Sequence, residues 1–147
     1  MKAKEAIVTY RRTETDLPSH ALRDSAYVAK ALRELIPDGP QERFVALALD
    51  GRNRITLWST IAMGDATSCA VDAGIAFRWA ILAGATRVIF SHNHPSGDCT
   101  PSRDDDEITV RLVKAGELLG VAVLDHVVLG DYETYYSYCD SGKLGAS

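Results

Sequence analysis

Cysteine is scarce and scattered in this chain. Three residues, Cys69, Cys99 and Cys139, form no C-x-x-C pair and leave an odd number. That excludes a disulfide framework and a cysteine-rich zinc site, and it favours a reducing, cytoplasmic setting. Positive charge is also short: 16 Lys and Arg stand against 20 Asp and Glu, a net charge of -4, with no basic run beyond Arg11-Arg12. A protein that holds nucleic acid by broad electrostatics needs a basic face, so direct nucleic-acid binding is not expected. No uncharged stretch approaches the roughly 18 apolar residues of a membrane helix, and Met1-Lys2-Ala3-Lys4-Glu5 contains no signal core. No membrane partner is expected. Repeats, low-complexity tracts and long linkers are missing too, so the 147 residues suit one domain around one core.

What is present alternates between strand and helix patterns. Ala6–Tyr10 reads as a short strand, and Pro18-Ser19 reads as the start signal of a helix over about Ala21–Ile36 with Tyr27, Val28, Ala31, Leu32 and Leu35 on one face. Pro37-Asp38-Gly39-Pro40 stops it. Glu42–Leu49 is a nearly continuous apolar run, typical of a strand buried on both faces, and Asp50-Gly51 with Asn53 turns it into Ile55–Trp58. A hairpin over residues 43–62 follows. Ser68–Ala83 is apolar nearly all round and reads as a buried helix. Val88–Ser91 is a strand, Arg103–Leu119 a helix with Ile108, Leu112, Ala115 and Leu119 on its apolar face, and Gly120 a C-terminal cap. One or two strands over 121–129 and a last one near Tyr135–Tyr138 complete an α/β domain, a mixed sheet flanked by helices.

Two of the four histidines fall together in Ser91-His92-Asn93-His94-Pro95-Ser96-Gly97-Asp98. In an extended segment alternate side chains point the same way, so His92 and His94, roughly 6.6 Å apart at Cα, can aim at one ion. Eleven residues after His94, Asp105 falls in the first turn of a helix that can bring it back to the same point. Two imidazoles, a carboxylate and an open position meet the needs of a catalytic zinc site. Ser102-x-x-Asp105 is also a capping box, and Asp104-Asp105-Asp106-Glu107 suits a helix dipole, so spacing does not separate Asp105 from its neighbours as a ligand. His20 reads as an ordinary polar histidine. Cys99 reads as a bystander in the loop. Asp125-His126 reads as structural at a strand start, with a supporting pair behind a metal ligand as the alternative. H-E-x-x-H and the H-x-E, P-C-x-x-C pattern of zinc deaminases are absent.

His92-x-His94, seven residues, then Ser102-x-x-Asp105 resembles the JAMM (MPN+) zinc metalloprotease motif. The fuller stretch from Ser91 to Ser102 resembles its RadC-like branch, as do Glu42-Arg43-Phe44, Ala115-Gly116-Glu117-Leu118-Leu119-Gly120, Leu124-Asp125-His126 and Tyr135-Tyr136-Ser137. The resemblance implies a JAB/MPN, cytidine-deaminase-like architecture over about residues 41–147, with the strand and helix of residues 1–40 packed on it. It implies zinc ligands His92, His94 and Asp105, an oxyanion role for Ser102, and Glu42 as the general acid/base. The function implied is a zinc-dependent metallopeptidase or isopeptidase acting on a peptide or isopeptide substrate. The alternative is a non-catalytic metal-binding module associated with DNA repair or mobile elements. Two departures stand out: Asp72-Ala73-Gly74-Ile75 replaces the family's His-Pro-Arg-Glu element, and residues 1–40 carry no helix-hairpin-helix glycine pattern.

Overall fold

A computed structural model describes residues 2–64 and 71–145. Its elements are α1 (Ser25–Arg33), β1 (Arg43–Leu49), β2 (Ile55–Met63), α2 (Ala73–Leu82), β3 (Arg87–Asn93), α3 (Arg103–Leu119), β4 (Ala122–Leu129) and β5 (Tyr135–Ser137). One five-stranded sheet runs in the order β2-β1-β3-β4-β5. β3 and β4 pair parallel while the other neighbours pair antiparallel, so the sheet is mixed as the sequence implies.

The sheet carries apolar residues on both faces. Val45, Leu47, Leu49, Ile89, Val127 and Leu129 point to one side, where Val28, Leu32, Leu35 and Ile36 of the α1 region cover them. Phe44, Ala46, Val88 and Phe90 point to the other and pack beneath Ala76, Phe77 and Ala80 of α2 and Leu112 of α3. This two-sided burial is the reason β1 lacks polar alternation. β1 and β2 form the expected hairpin. Asp50 Oδ1 accepts from the N–H groups of Arg52 and Arg54, and Asn53 takes a left-handed φ of 60° to close the turn.

Several expectations require correction. Residues 6–10 form no strand: Ile7 is 79% exposed and the segment joins no ladder. Its β-branched residues fit a strand locally, but no sheet edge pairs with them. α1 begins later than read, because Asp24 rather than the Pro18-Ser19 pair is the N-cap, its carboxylate accepting from Tyr27 N–H at 2.8 Å. α2 starts behind Asp72, which caps it, so most of the expected opening turns at 68–70 lie outside the described residues. Nor is α2 buried all round; Ile75, Ile81 and Leu82 are exposed, since the helix is an outer layer covering the sheet with one stripe only. Residues 122–129 form one strand. In α3 the buried line is Thr109, Leu112 and Gly116, whereas Leu119 in the last turn is half exposed. Gly120 does take the left-handed C-cap conformation, φ 72°.

Among the described residues no helix is long and apolar enough to cross a membrane. α3 lies close to the strand that follows it. A Cβ on Gly116 would stand 2.4 Å from the Val121 carbonyl oxygen and 3.3 Å from Phe77. Gly116→Ala is therefore expected to lower stability by about 1–3 kcal/mol through overpacking. A urea titration that leaves the midpoint unmoved would show that the α3 turn yields without cost.

Candidate metal centre

The chain leaves β3 at Asn93 and enters the loop to α3, so the carboxyl end of a parallel strand meets the amino end of a helix. Open α/β sheets bind ligands at such strand ends. His94 N–H still donates to the Leu129 carbonyl at 2.9 Å, which keeps the strand geometry through both histidines. Alternation sends His92 to the same face as Phe90, beneath α3, and sends Ser91 and Asn93 to the opposite face.

His92 Nε2 and His94 Nε2 converge to 3.0 Å. Asp105 stands 3.0 Å from each, Oδ1 towards His92 and Oδ2 towards His94. A tetrahedral ion with bonds of about 2.0–2.1 Å holds its ligands about 3.3–3.4 Å apart. The observed spacing thus suits a small cation with little adjustment. Glu42 belongs to the same cluster: Glu42, His92 and His94 each offer a donor atom within 4.8 Å of the others, and the three can hold a metal ion. Extending the Phe44↔His92 pairing by two residues sets Glu42 opposite His94, on the same side of the sheet.

Of the acidic run, only Asp105 turns to the histidines. Asp106 accepts from the Tyr138 hydroxyl at 2.7 Å, Glu107 pairs with Arg103, and Asp104 is exposed. The capping box selects Asp105. Its N–H donates to Ser102 Oγ at 3.1 Å, and its Oδ2 accepts from Ser102 N–H at 2.8 Å. Capping and facing the histidines are therefore one arrangement, not rivals.

The donor set can accept a cation. His94 Nδ1 lies 2.8 Å from the Asp98 carbonyl, which can only accept, so the ring hydrogen sits there and Nε2 faces the cluster. Burial works to raise the pKa of Asp105, yet the bonds from His92 and His94 hold it far below the usual carboxylate range. His94 is raised by its bond to Asp105, against the opposing effect of burial. Imidazoles and carboxylates pressed together hold protons when no metal is near, and the same field favours a metal ion.

Two contributors, Asn93 and Thr109, went unread in the sequence, and a third, His126, was read as a supporting residue only as the alternative. Asn93 lies between the histidines, and alternation turns it away from them. Its Oδ1 accepts from Arg43 N–H at 2.8 Å and its Nδ2 donates to the Gln41 carbonyl at 3.0 Å. That clamp holds the backbone on both sides of Glu42. His126 lies mid-strand in β4, not at a strand start, with Nε2 at 2.9 Å from His92 Nδ1, and Thr109 lies behind it. The period-two pattern of β4 was the available signal for His126. Cys99 packs near Gly130, and His20 bonds the Tyr27 hydroxyl, away from the cluster.

The fold and the site together define a JAB/MPN-type α/β domain with a candidate metal centre. The chain belongs to the RadC-like JAB domain family, whose model matches residues 22–143. It is 48% identical over 107 residues to a UPF0758 protein of Trichlorobacter lovleyi, covering 73% of this chain and 46% of that protein. It is 46% identical over 111 residues to a UPF0758 protein of Syntrophotalea carbinolica, covering 76% and 48%. UPF0758 protein BH3032 of Halalkalibacterium halodurans is 36% identical over 141 residues, covering 95% of this chain and 60% of the relative. The chain spans about half the length of these curated relatives.

Two substitutions separate the supports. Ser102→Ala removes a helix cap and is expected to cost about 1 kcal/mol. Asn93→Ala leaves the half-buried Arg43 N–H and the Gln41 carbonyl without their partner and is expected to cost about 1 kcal/mol. Chemical denaturation checks both, and a parent-like midpoint for Asn93→Ala would dismiss the clamp.

Proposed function

We propose that this domain is a zinc-dependent metallopeptidase or isopeptidase of the JAMM type. His92, His94 and Asp105 are the zinc ligands in this reading, and Glu42 is the general acid/base. The observation that carries it is the convergence of two imidazole Nε2 atoms and the Asp105 carboxylate at 3.0 Å, with Glu42 alongside. Two nitrogens and a carboxylate oxygen with room for a fourth ligand match the donor preferences of zinc. When bound, zinc supplies Lewis acidity towards a carbonyl and makes water acidic enough to ionise near pH 7.

The chain's own groups supply the rest. Glu42 takes a proton from the attacking water and delivers it to the amide nitrogen as the C–N bond breaks. Ser102 Oγ accepts from Asp105 N–H, which leaves its own hydrogen to donate to the oxyanion that develops on the carbonyl. A cleft of about 550 Å³ opens beside His94, walled by Ile36, Pro37, Pro40, Pro95, Leu129 and Tyr132. Arg33, Asp38, Asn93 and Asp131 complete the wall, so the lining mixes proline and apolar surface with charged and polar groups, which suits a peptide. The net charge of -4 and the lack of basic runs favour an amide over a phosphodiester as substrate.

Zinc content and hydrolysis of peptide and isopeptide substrates test the reading. The parent is expected to bind one zinc per chain. Glu42→Gln should keep that zinc while kcat/KM falls by about 10²–10⁴, the usual worth of a positioned proton carrier. Asp105→Asn should weaken zinc binding by more than the roughly 10- to 100-fold typical of a change one shell further out. A parent domain that takes up no zinc would end this proposal.

A further inference from the structure

Behind His92 runs a buried chain of hydrogen bonds that takes no part in the proton transfers just described. His92 Nδ1 lies 2.9 Å from His126 Nε2, and His126 Nδ1 lies 2.6 Å from the Thr109 hydroxyl. Thr109 Oγ1 donates to the backbone carbonyl of Asp105 at 2.6 Å, one turn earlier in α3. His126 is 0% and Thr109 1% exposed. The Tyr138 ring stacks on His126 with centroids 5.2 Å apart and planes 8° from parallel, and Phe44 packs against it at 5.4 Å. A polar ring held this tightly among aromatics has one orientation open to it.

We propose that His126 is a positioning residue that fixes the tautomer of His92 and thereby aims the His92 Nε2 lone pair at a metal ion. This rests on the metal-site reading above. The proton count leads to it step by step. A backbone carbonyl only accepts, so the single hydroxyl hydrogen of Thr109 goes to Asp105. The Thr109 oxygen is left to accept, and His126 Nδ1 must carry the hydrogen that it accepts. His126 is neutral, since its ring is wholly buried between Tyr138 and Phe44 and its nitrogens face His92 and the Thr109 hydroxyl rather than a carboxylate that would offset a charge. Its Nε2 is then a bare lone pair, and the only hydrogen that can fill the 2.9 Å contact is the one on His92 Nδ1. With Nδ1 committed in this way, His92 Nε2 is the position that faces Asp105 and His94, where a metal ion would replace the hydrogen that bonds Asp105.

The two histidine ligands are thus oriented by different devices. His94 relies on a backbone carbonyl, that of Asp98, which cannot change its role. His92 relies on a side chain whose acceptor nitrogen stays bare only while Thr109 supplies an acceptor on the far side. Because Thr109 also bonds the Asp105 backbone, the first histidine ligand and the aspartate share one network, and β3, β4 and α3 are keyed together at this point. Outer hydrogen bonds of this kind set ligand orientation and basicity in metal sites.

Nitrogen-15 spectra of histidine-labelled domain, recorded metal-free and with Zn²⁺ added, locate the ring hydrogens directly. The expected result is a hydrogen on Nδ1 of His126 in both states and on Nδ1 of His92 with zinc present. Zinc affinity measured by chelator competition gives the second readout. His126→Phe keeps the ring and its stacking but removes the acceptor, and it should weaken zinc binding about 10- to 100-fold. His126→Gln, whose side-chain oxygen reaches the Nε2 position, should recover most of the loss, and Thr109→Val should weaken binding in the same direction as His126→Phe. A His126 hydrogen found on Nε2, or His126→Phe binding zinc as tightly as the parent, overturns the inference and leaves the metal site standing. A parent that binds no zinc ends the metallopeptidase reading instead, and the metal-free spectrum still decides the hydrogen-bond chain.

Discussion

The carboxylate of Asp105 is where the site and the fold become one object. Its Oδ2 closes the N-terminus of α3 by accepting from Ser102 N–H, and the same oxygen faces His94. A helix start must find acceptors for its free N–H groups, and here the acceptor is also the acid that meets the histidines. The position of α3 therefore cannot drift without opening the cluster. The helix is further held by Tyr138, which donates to Asp106, and by Thr109 through His126. The candidate metal centre gains its rigidity from ordinary helix-capping chemistry.

The sheet contributes the opposite wall. β1 and β3 pair antiparallel through apolar residues buried on both faces, which gives that register little freedom to slip, because a one-residue shift would send Phe44 and His92 to the wrong side. With the register set, Glu42 follows as the residue beyond the strand end that faces His94. Asn93 then ties the backbone on either side of Glu42 from the far face of the sheet. The residue between the two histidines thus serves the glutamate, a division of labour made possible by strand alternation.

Much of this was legible residue by residue. β1 was readable because after Arg43 it has no polar position through Leu49, and α3 because a capping box opens it and Gly120 closes it. His92 and His94 were readable because period two puts them on one side. The N-terminal strand was misread: Ala6–Tyr10 has the right residue types, but a strand exists only where a partner supplies its hydrogen bonds. The burial of α2 was misread for a related reason. Ile75, Ile81 and Leu82 are apolar, but whether another layer covers them is not written in the helix itself. Asp24 was passed over as a cap in favour of an earlier proline, a boundary error of the kind local signals permit.

The sequence alone determined the local conditions: a stiff strand carrying alternate histidines, a loop that turns, and a helix whose capping box includes an acid. These depend on near neighbours, and near neighbours are visible in the chain. Only the tertiary structure decided that Asp105, not Asp104 or Asp106, meets the imidazoles, that Glu42 arrives from fifty residues away, and that His126 backs His92. Each of those depends on strand register and on the distance between layers, which long-range packing sets. A pattern can say which groups suit a metal, but the packed sheet and helix decide which of them share one point in space.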